Sequence, residues 1–508
     1  MLAAAILGSS LAFIDGTVVT VALPAIGREL GSSGADLQWV IESYALFLSA
    51  LLLVGGSLAD RFGRRRVYAL GVILFTGASI ACGFATTMGW LIAARAVQGV
   101  GAALLVPGSL ALISASFDAS SRGRAIGTWS GFSGITASIG PLLGGWLVNH
   151  SWRWAFFLNV PIAAVVLVLL RGVPESRNPE ARAIDVPGAL LTTVGLGGIV
   201  FGLIESSRRG WGNPTIVASL AIGAACMAAF LLVEARSKSP MLSLSLFRSR
   251  TFTGANALTL FLYGALSLVF FYLPLNLIQV QGYSPLAAGA ALLPFIVIVF
   301  LLSLWSGGLV ERMGGRLPLI VGPSLAAVGF LLLSRPAVGG SYATTFLPGV
   351  VVLGLGMAVS IAPLTTTVMN AVGEANAGVA SGVNNAVSRV AGLLTIALFG
   401  MVLTGKFGAE LERRVAAIPI DPPARQEVLD HRAQLAAARP PSRLPPDRAS
   451  AVRDAIAQSF VAGFRDLARA SAGLSVLAAA CALIWIERGA ARRARPASPA
   501  ARTGATPR

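Results

Sequence analysis

Residues 56–66 read Gly-Ser-Leu-Ala-Asp-Arg-Phe-Gly-Arg-Arg-Arg, and residues 307–314 read Gly-Gly-Leu-Val-Glu-Arg-Met-Gly. Gly56, Leu58, Asp60, Arg61 and Gly63 are answered by Gly307, Leu309, Glu311, Arg312 and Gly314, at an offset of 251 (311 − 60). Each stretch is a short charged turn between two long apolar runs. Gly99 and Gly101 are likewise answered by Gly354 and Gly356, at an offset of 255 (354 − 99). Two similar bundles of apolar segments therefore follow one another along the chain.

Outward from these turns, apolar runs of spanning length lie at 2–24, 38–59, 67–86, 89–114, 124–148, 154–171, 186–205, 213–234, 252–276, 286–309, 316–334, 342–363, 378–403 and 470–486. That makes fourteen. About 20 apolar residues cross a bilayer as a helix, and only helices or closed barrels satisfy their backbones there. The alternating segments of a barrel are missing. Composition agrees: 55% of the 508 residues are apolar and 12% are charged, with a mean hydropathy of +0.76. Soluble proteins carry about 25% charged residues. A soluble enzyme, a disordered chain and a secreted disulfide scaffold are all excluded. The fold class is an all-α polytopic membrane protein. The second repeat begins near the ninth run, so the order is six, two, six. The expected domains are a six-helix half at 1–172, two linker helices at 173–250, and a second six-helix half at 251–488 with an outside loop at 404–469. A disordered cytoplasmic tail follows at 489–508.

The net charge of +17 would suggest nucleic acid in a soluble domain, but its placement gives a topology instead. With the N-terminus inside, short inside loops hold fifteen basic residues: Arg61, Arg64, Arg65, Arg66, Arg122, Arg124, Arg171, Arg177, Arg182, Arg236, Lys238, Arg248, Arg250, Arg312 and Arg316. The tail from Arg488 adds six, and short outside loops hold five: Arg28, Arg153, Arg208, Arg209 and Arg335. The excess marks the cytoplasmic side. Within the 404–469 loop, Val452, Ile456, Phe460 and Phe464 recur every four residues and predict an amphipathic helix feeding the last span. The loop reads as a connector, or as an outer lid or docking surface. Cys82, Cys226 and Cys481 lie in apolar stretches, and His150 and His431 are the only histidines. Neither a disulfide framework nor a metal site follows.

Charges inside the apolar runs are functional candidates by default. Asp15 lies in the first run, Glu42 and Tyr44 in the second, and Arg95 with Gln98 in the fourth. A carboxyl group that crosses as the neutral acid and gives up its proton again is a reversible proton carrier. Asp15 is read as that carrier, or as a packing Asp hydrogen-bonded to a neighbour. Glu42 is read as a second coupling or cation-binding acid, or as a side chain snorkelling to the outer interface. Arg95 needs an anion or a set of carbonyls. Arg389 is a further membrane charge with no assigned partner. A membrane enzyme would need a nucleophile–base pair or a metal cluster at a helix end, and none is found. A nucleotide-driven pump would need a Gly-x-x-x-x-Gly-Lys-Ser/Thr loop, which the chain lacks.

Together these stretches resemble the fourteen-span drug–proton antiporters of the major facilitator superfamily, over nearly the whole chain. The matching motifs are Asp15-Gly-Thr17 through Ala22-Leu23-Pro24, Trp39 with Tyr44, Gly56 to Arg66, Arg95 to Ala103, Gly140-Pro141-Leu-Leu-Gly144-Gly145, and Trp152-Arg153-Trp154 through Asn159-Val-Pro161. Thr136 stands where the family often has Gly. The resemblance implies the major facilitator fold, and proton-coupled export of amphipathic drugs or other small hydrophobic compounds from a bacterial cytoplasmic membrane. Alternatives on the same fold are export of an endogenous metabolite or lipid, and an uncoupled facilitator. Proton coupling is expected at Asp15, Arg95 and Glu42. A cytoplasmic gate is expected at Gly56, Asp60, Arg61, Gly63, Arg64, Arg65, Glu311 and Arg312. An antiporter hinge is expected at Gly140, Pro141, Gly144 and Gly145. The substrate cavity is expected at Asp15, Glu42, Tyr44, Gln98, Asn276, Gln279 and Asn384. No carboxylate falls inside spans 9 to 13, which narrows the expected cargo to neutral or singly charged compounds. No cofactor is expected beyond the proton as coupling ion, and no metal. The partners are a small molecule and the bilayer, without nucleic acid, in a protein that works as a monomer. A periplasmic adaptor is left open.

Overall fold

The computed structural model describes residues 1–117, 128–129, 132, 139–140, 142–177, 185–237, 240, 242–306, 309–372 and 377–487. Among them no strand occurs, and twelve helices are long and apolar enough to cross a bilayer. In run order, spans 1 to 4 are Leu2–Leu30, Gly34–Phe62, Arg64–Gly83 and Met88–Ser116. Spans 7 to 10 are Val186–Arg209, Pro214–Arg236, Arg250–Val280 and Pro285–Leu302. Spans 11 to 14 are Arg316–Leu333, Leu347–Asn370, Ala377–Ala416 and Pro446–Trp485. Span 6 is the shorter helix Trp154–Leu170. Much of span 5 lies outside the described residues, Pro141 included, but 142–148 is helical. The expected tail at 489–508 also lies outside them.

The repeat is built into the packing. A Cβ on Gly101 of span 4 would sit 2.5 Å from the backbone nitrogen of Phe75 in span 3. A Cβ on Gly356 of span 12 would sit 2.5 Å from the nitrogen of Ala326 in span 11. Gly99 meets the Tyr44 carbonyl of span 2, and Gly354 meets Phe295 of span 10. The paired glycines thus bring equivalent helices into backbone contact, the small-residue packing favoured in lipid. The two charged turns also share a backbone device. Gly63 has φ 112° and Gly314 has φ 75°, conformations that a Cβ disfavours.

Span 5 joins the halves through its glycines. Gly140 and Gly144 lie against Thr17 and Val18 of span 1, one turn from Asp15. A Cβ on Gly145 would be 2.5 Å from Leu286 Cα and from the Pro285 carbonyl, in the other half. Spans 7 and 8 pack on each other through Gly195, Gly198, Gly202 and Gly223. Span 7 also leans on spans 2 and 13, where Leu196, Val200 and Ile204 bury against Leu46, Ala50, Leu393 and Ala397. Trp39 bonds Glu205 of span 7 at 3.2 Å, so it ties helices together as well as marking the membrane edge.

The helices overrun their apolar stretches. Span 1 continues through Pro24 to Leu30, and span 13 runs on to Ala416. Span 14 begins at Pro446, and Val452, Ile456, Phe460 and Phe464 are its buried stripe, as the four-residue spacing predicts. They meet Phe407, Leu411 and Val415 from the overrun of span 13. Between these two helices, Pro422–Asp430 and His431–Ala437 fold back over the turn between spans 1 and 2. Leu435 is the residue that reaches in. A Cβ on Gly34 would lie 2.7 Å from its Cδ1. Leu435 is also the one non-glycine residue at positive φ (54°) among the described residues. Such a backbone costs about 1–3 kcal/mol and persists because the side chain is buried. This end of the bundle is the capped end, and the end with Arg61 to Arg66 is the basic end.

Candidate functional site

Asp15 lies near the middle of span 1 with no exposed surface. Both carboxylate oxygens are occupied. Arg95 of span 4 places Nη1 2.5 Å from Oδ2. Gln98 Nε2 donates to Oδ1 at 2.8 Å, and Asn159 Nδ2 of span 6 donates to the same oxygen at 3.3 Å. Asn159 is held in turn by Ser79 Oγ of span 3 at 2.9 Å, and Ser79 donates to the Phe156 carbonyl. Arg95 is held through Nε and Nη1, while its Nη2 is buried without a partner among the described residues. Its Nε donates to the Val40 carbonyl at 3.0 Å and its Nη1 to Gln98 Oε1 at 2.8 Å. Its guanidinium lies 4.3 Å from the centroid of the Tyr44 ring. Five helices of the first half therefore converge on one carboxylate. A buried ion pair is strongly destabilised when either partner is removed, so protonating Asp15 would loosen the whole cage.

The other expected site residues are distributed more widely. Glu42 has no exposed surface, and neither oxygen has a hydrogen-bond partner. It is buried between helices rather than snorkelling to an interface. One turn away, Gln38 donates to Tyr272 Oη at 2.8 Å and to the Ile396 carbonyl at 3.2 Å, joining spans 2, 9 and 13. Gln98 belongs to the Asp15 cage. Asn384, expected at the cavity, donates instead to Thr259 Oγ1 at 2.7 Å and Asn256 Oδ1 at 3.1 Å, fastening span 13 to span 9. Asn276 and Gln279 lie in the π-helical turn that ends span 9 at the capped end. Asn276 accepts from Gln281 there.

At the basic end, Asp60 and Arg64 pair with each other at 2.8 Å. Arg65 Nη1 donates to the Val173 carbonyl, and Arg61 and Arg312 are exposed. Gly307 and the side chain of Glu311 lie outside what is described. Glu175, just beyond span 6, has no counterpart in the sequence reading. Its carboxylate accepts from the backbone N–H groups of Arg65 at 3.0 Å and Arg66 at 3.2 Å, in the first turn of span 3. An anion at a helix N-terminus is stabilising by about 0.3–1 kcal/mol. Glu175→Ala is expected to raise amide exchange in residues 64–68 about fivefold, the counterpart of about 1 kcal/mol. Unchanged exchange there would show that the contact does not hold the turn.

A duplicated bundle of apolar helices, glycine-packed at its seam and carrying a caged carboxylate, defines a membrane transporter. The chain belongs to the Major Facilitator Superfamily, whose sequence model matches residues 5–396. It is 38% identical over 426 residues to the multidrug resistance protein Stp of Mycobacterium tuberculosis, covering 82% of this chain and 78% of that one. It is 32% identical to the tetracenomycin C resistance and export protein of Streptomyces glaucescens, covering 95% and 90%. In fold it is similar to a bacterial homologue of the human lysosomal transporter Spinster, with a TM-score of 0.64 at 19% identity over 95% of each chain. It is a multi-pass membrane transporter.

Proposed function

We propose that this protein is a proton-coupled exporter of amphipathic, drug-like small molecules. The observation that carries the reading is the fully buried Asp15–Arg95 pair with its Gln98 and Asn159 donors. The resistance and export functions named for Stp and the tetracenomycin C protein support the cargo class. The excess of arginine at the basic end supports a cytoplasmic position for that end, with both termini inside and the cap outside, in a bacterial cytoplasmic membrane. Residues 1–172 and 251–488 are then the two rocking halves, with 173–250 as two linker helices.

In this reading the inward-facing protein holds Asp15 ionised against Arg95 and admits the substrate. Outward, a proton taken up by Asp15 breaks the pair and releases the substrate. The return step carries the proton in. Glu42 is a second acid in the path, held without a counter-charge. The Asp60–Arg64 pair and Glu175 stiffen the cytoplasmic turn of the first half, and Gly140, Gly144 and Gly145 allow the seam to close. One proton moving through ~100 mV gains about 2.3 kcal/mol, and a pH difference of one unit adds about 1.4 kcal/mol. Their sum, about 3.7 kcal/mol, sustains a roughly 500-fold substrate gradient. The test is ethidium efflux from loaded cells. Efflux dependent on this protein is expected to collapse when a protonophore is added, and efflux that persists refutes proton coupling.

A further inference from the structure

Arg389 is a guanidinium inside the membrane with no counter-ion among the described residues. Among the described residues it has no ion pair, and its Nε is buried with no hydrogen-bond partner. Arg389 itself is half-buried, and Asn385, one turn before it, is exposed. Leu398 and Val402, 42% and 45% exposed, mark the outer surface of span 13. They lie nine and thirteen residues from Arg389, so at 3.6 residues per turn Arg389 points about 180° and about 140° away from them. The face it shares looks at span 2. On one side of it Gln38 bonds the Ile396 carbonyl, and on the other Gly382 lies 3.7 Å from Leu53 for a built Cβ.

Tyr44 of span 2 lies at this contact: Ala386, three residues from Arg389, packs against the buried cluster that holds Tyr44. The Tyr44 hydroxyl is buried and has no hydrogen-bond partner, and the residue is 6% exposed. Its ring is fixed between the Arg95 guanidinium and the edge of Phe75. Arg95 Nη2, beside the Tyr44 ring, is likewise buried without a partner, so open donors come from both halves of the protein. The nearby carboxylates do not answer them. Asp15 is taken by Arg95. Glu42 lies two residues from Tyr44, about 200° around the helix, on the opposite face of span 2. An unpaired charge in such a place is expensive and marks a site whose partner arrives from outside.

We propose that Tyr44 and Arg389 form a receptor for a carboxylate, or a similar planar oxyanion, on the transported molecule. The guanidinium fork matches a carboxylate in geometry and charge, and the tyrosine hydroxyl donates to the same group. Because the donors belong to different halves, the oxyanion ties span 2 to span 13 when substrate is bound. Through the Tyr44 ring it also abuts Arg95, the partner of the coupling acid. The cargo class thereby widens to acids and zwitterions. This rests on the export reading, which supplies the substrate.

The experiment is equilibrium binding to the full chain in detergent, with no proton gradient, so its failure leaves the efflux test of coupling untouched. The probes are rhodamine 110, which has a free carboxylate, and rhodamine 123, its methyl ester. Arg389→Gln is expected to weaken rhodamine 110 binding at least about tenfold, as loss of a buried charge partner does, and rhodamine 123 binding less than about threefold. Arg389→Lys retains part of the preference, and Tyr44→Phe, which keeps the ring on Arg95, reduces it. Equal loss for both dyes, an unchanged ratio, or no binding of rhodamine 110 by the native chain overturns the proposal.

Discussion

Asp15→Asn is expected to abolish proton-driven export and to weaken substrate binding. Asp15 accepts on both oxygens, Oδ2 from Arg95 and Oδ1 from Gln98 and Asn159. An asparagine fits neither way round, because either placement of its NH₂ faces a donor. The substitution also leaves the Arg95 charge buried without its anion, a loss of about 3–5 kcal/mol where such pairs are broken. Two signatures follow. The variant unfolds in detergent at a lower temperature than the native chain. Its ethidium efflux driven by a pH gradient falls to background, and its affinity for ethidium drops, because a neutral side chain at position 15 holds the releasing form. Asp15→Asn with Arg95→Gln removes both charges together. It is expected to recover most of the lost stability, as coupled partners do, and none of the coupling. Native efflux from the single variant would show that the cage is structural and that the proton travels elsewhere.

The cage was half legible in the sequence. Asp15 and Arg95 stand out because charge is rare in apolar runs. Ser79 and Asn159 do not, since a small polar residue in a span is ordinary and only the crossing of spans 3 and 6 brings them to the carboxylate. Asn384 shows how a second role hides. A polar residue in span 13 suggests a cavity, but Thr259 and Asn256 on a neighbouring helix satisfy it. The repeat was legible because Gly99, Gly101, Gly354 and Gly356 answer a backbone approach that admits no side chain. Helix ends were not. Hydropathy marks the stretch that touches lipid, whereas spans 1, 13 and 14 continue as amphipathic helices buried against protein. Where residues 417–445 come to rest depends on contacts with the first half, which no local pattern encodes.

That resting place leads to a second large effect. A disulfide between cysteines at positions 34 and 435 is expected to stop export reversibly. A Cβ built on Gly34 lies 3.0 Å from Leu435 Cγ. Cγ stands where a cysteine sulfur would, and about 3 Å is the distance from one Cβ to the far sulfur across an S–S bond of ~2.05 Å. The bridge would join the turn between spans 1 and 2, in the first half, to the cap carried by spans 13 and 14. If the halves rock apart at the capped end to release substrate, this contact must break in every cycle. The Leu435 contact alone is a modest barrier, because its backbone is strained and its gain is one buried side chain. The covalent bridge cannot be broken by rocking. In a background with Cys226 replaced by Ala, the oxidised double variant is expected to export at less than about 5% of the native rate and to recover on reduction. Its affinity for ethidium from the basic end is unchanged, and each single cysteine variant transports as the parent does. Full export by a quantitatively cross-linked protein would mean that the cap travels with the first half. The opening would then lie on the opposite flank, between the Gly145 contact of span 5 and the start of span 10.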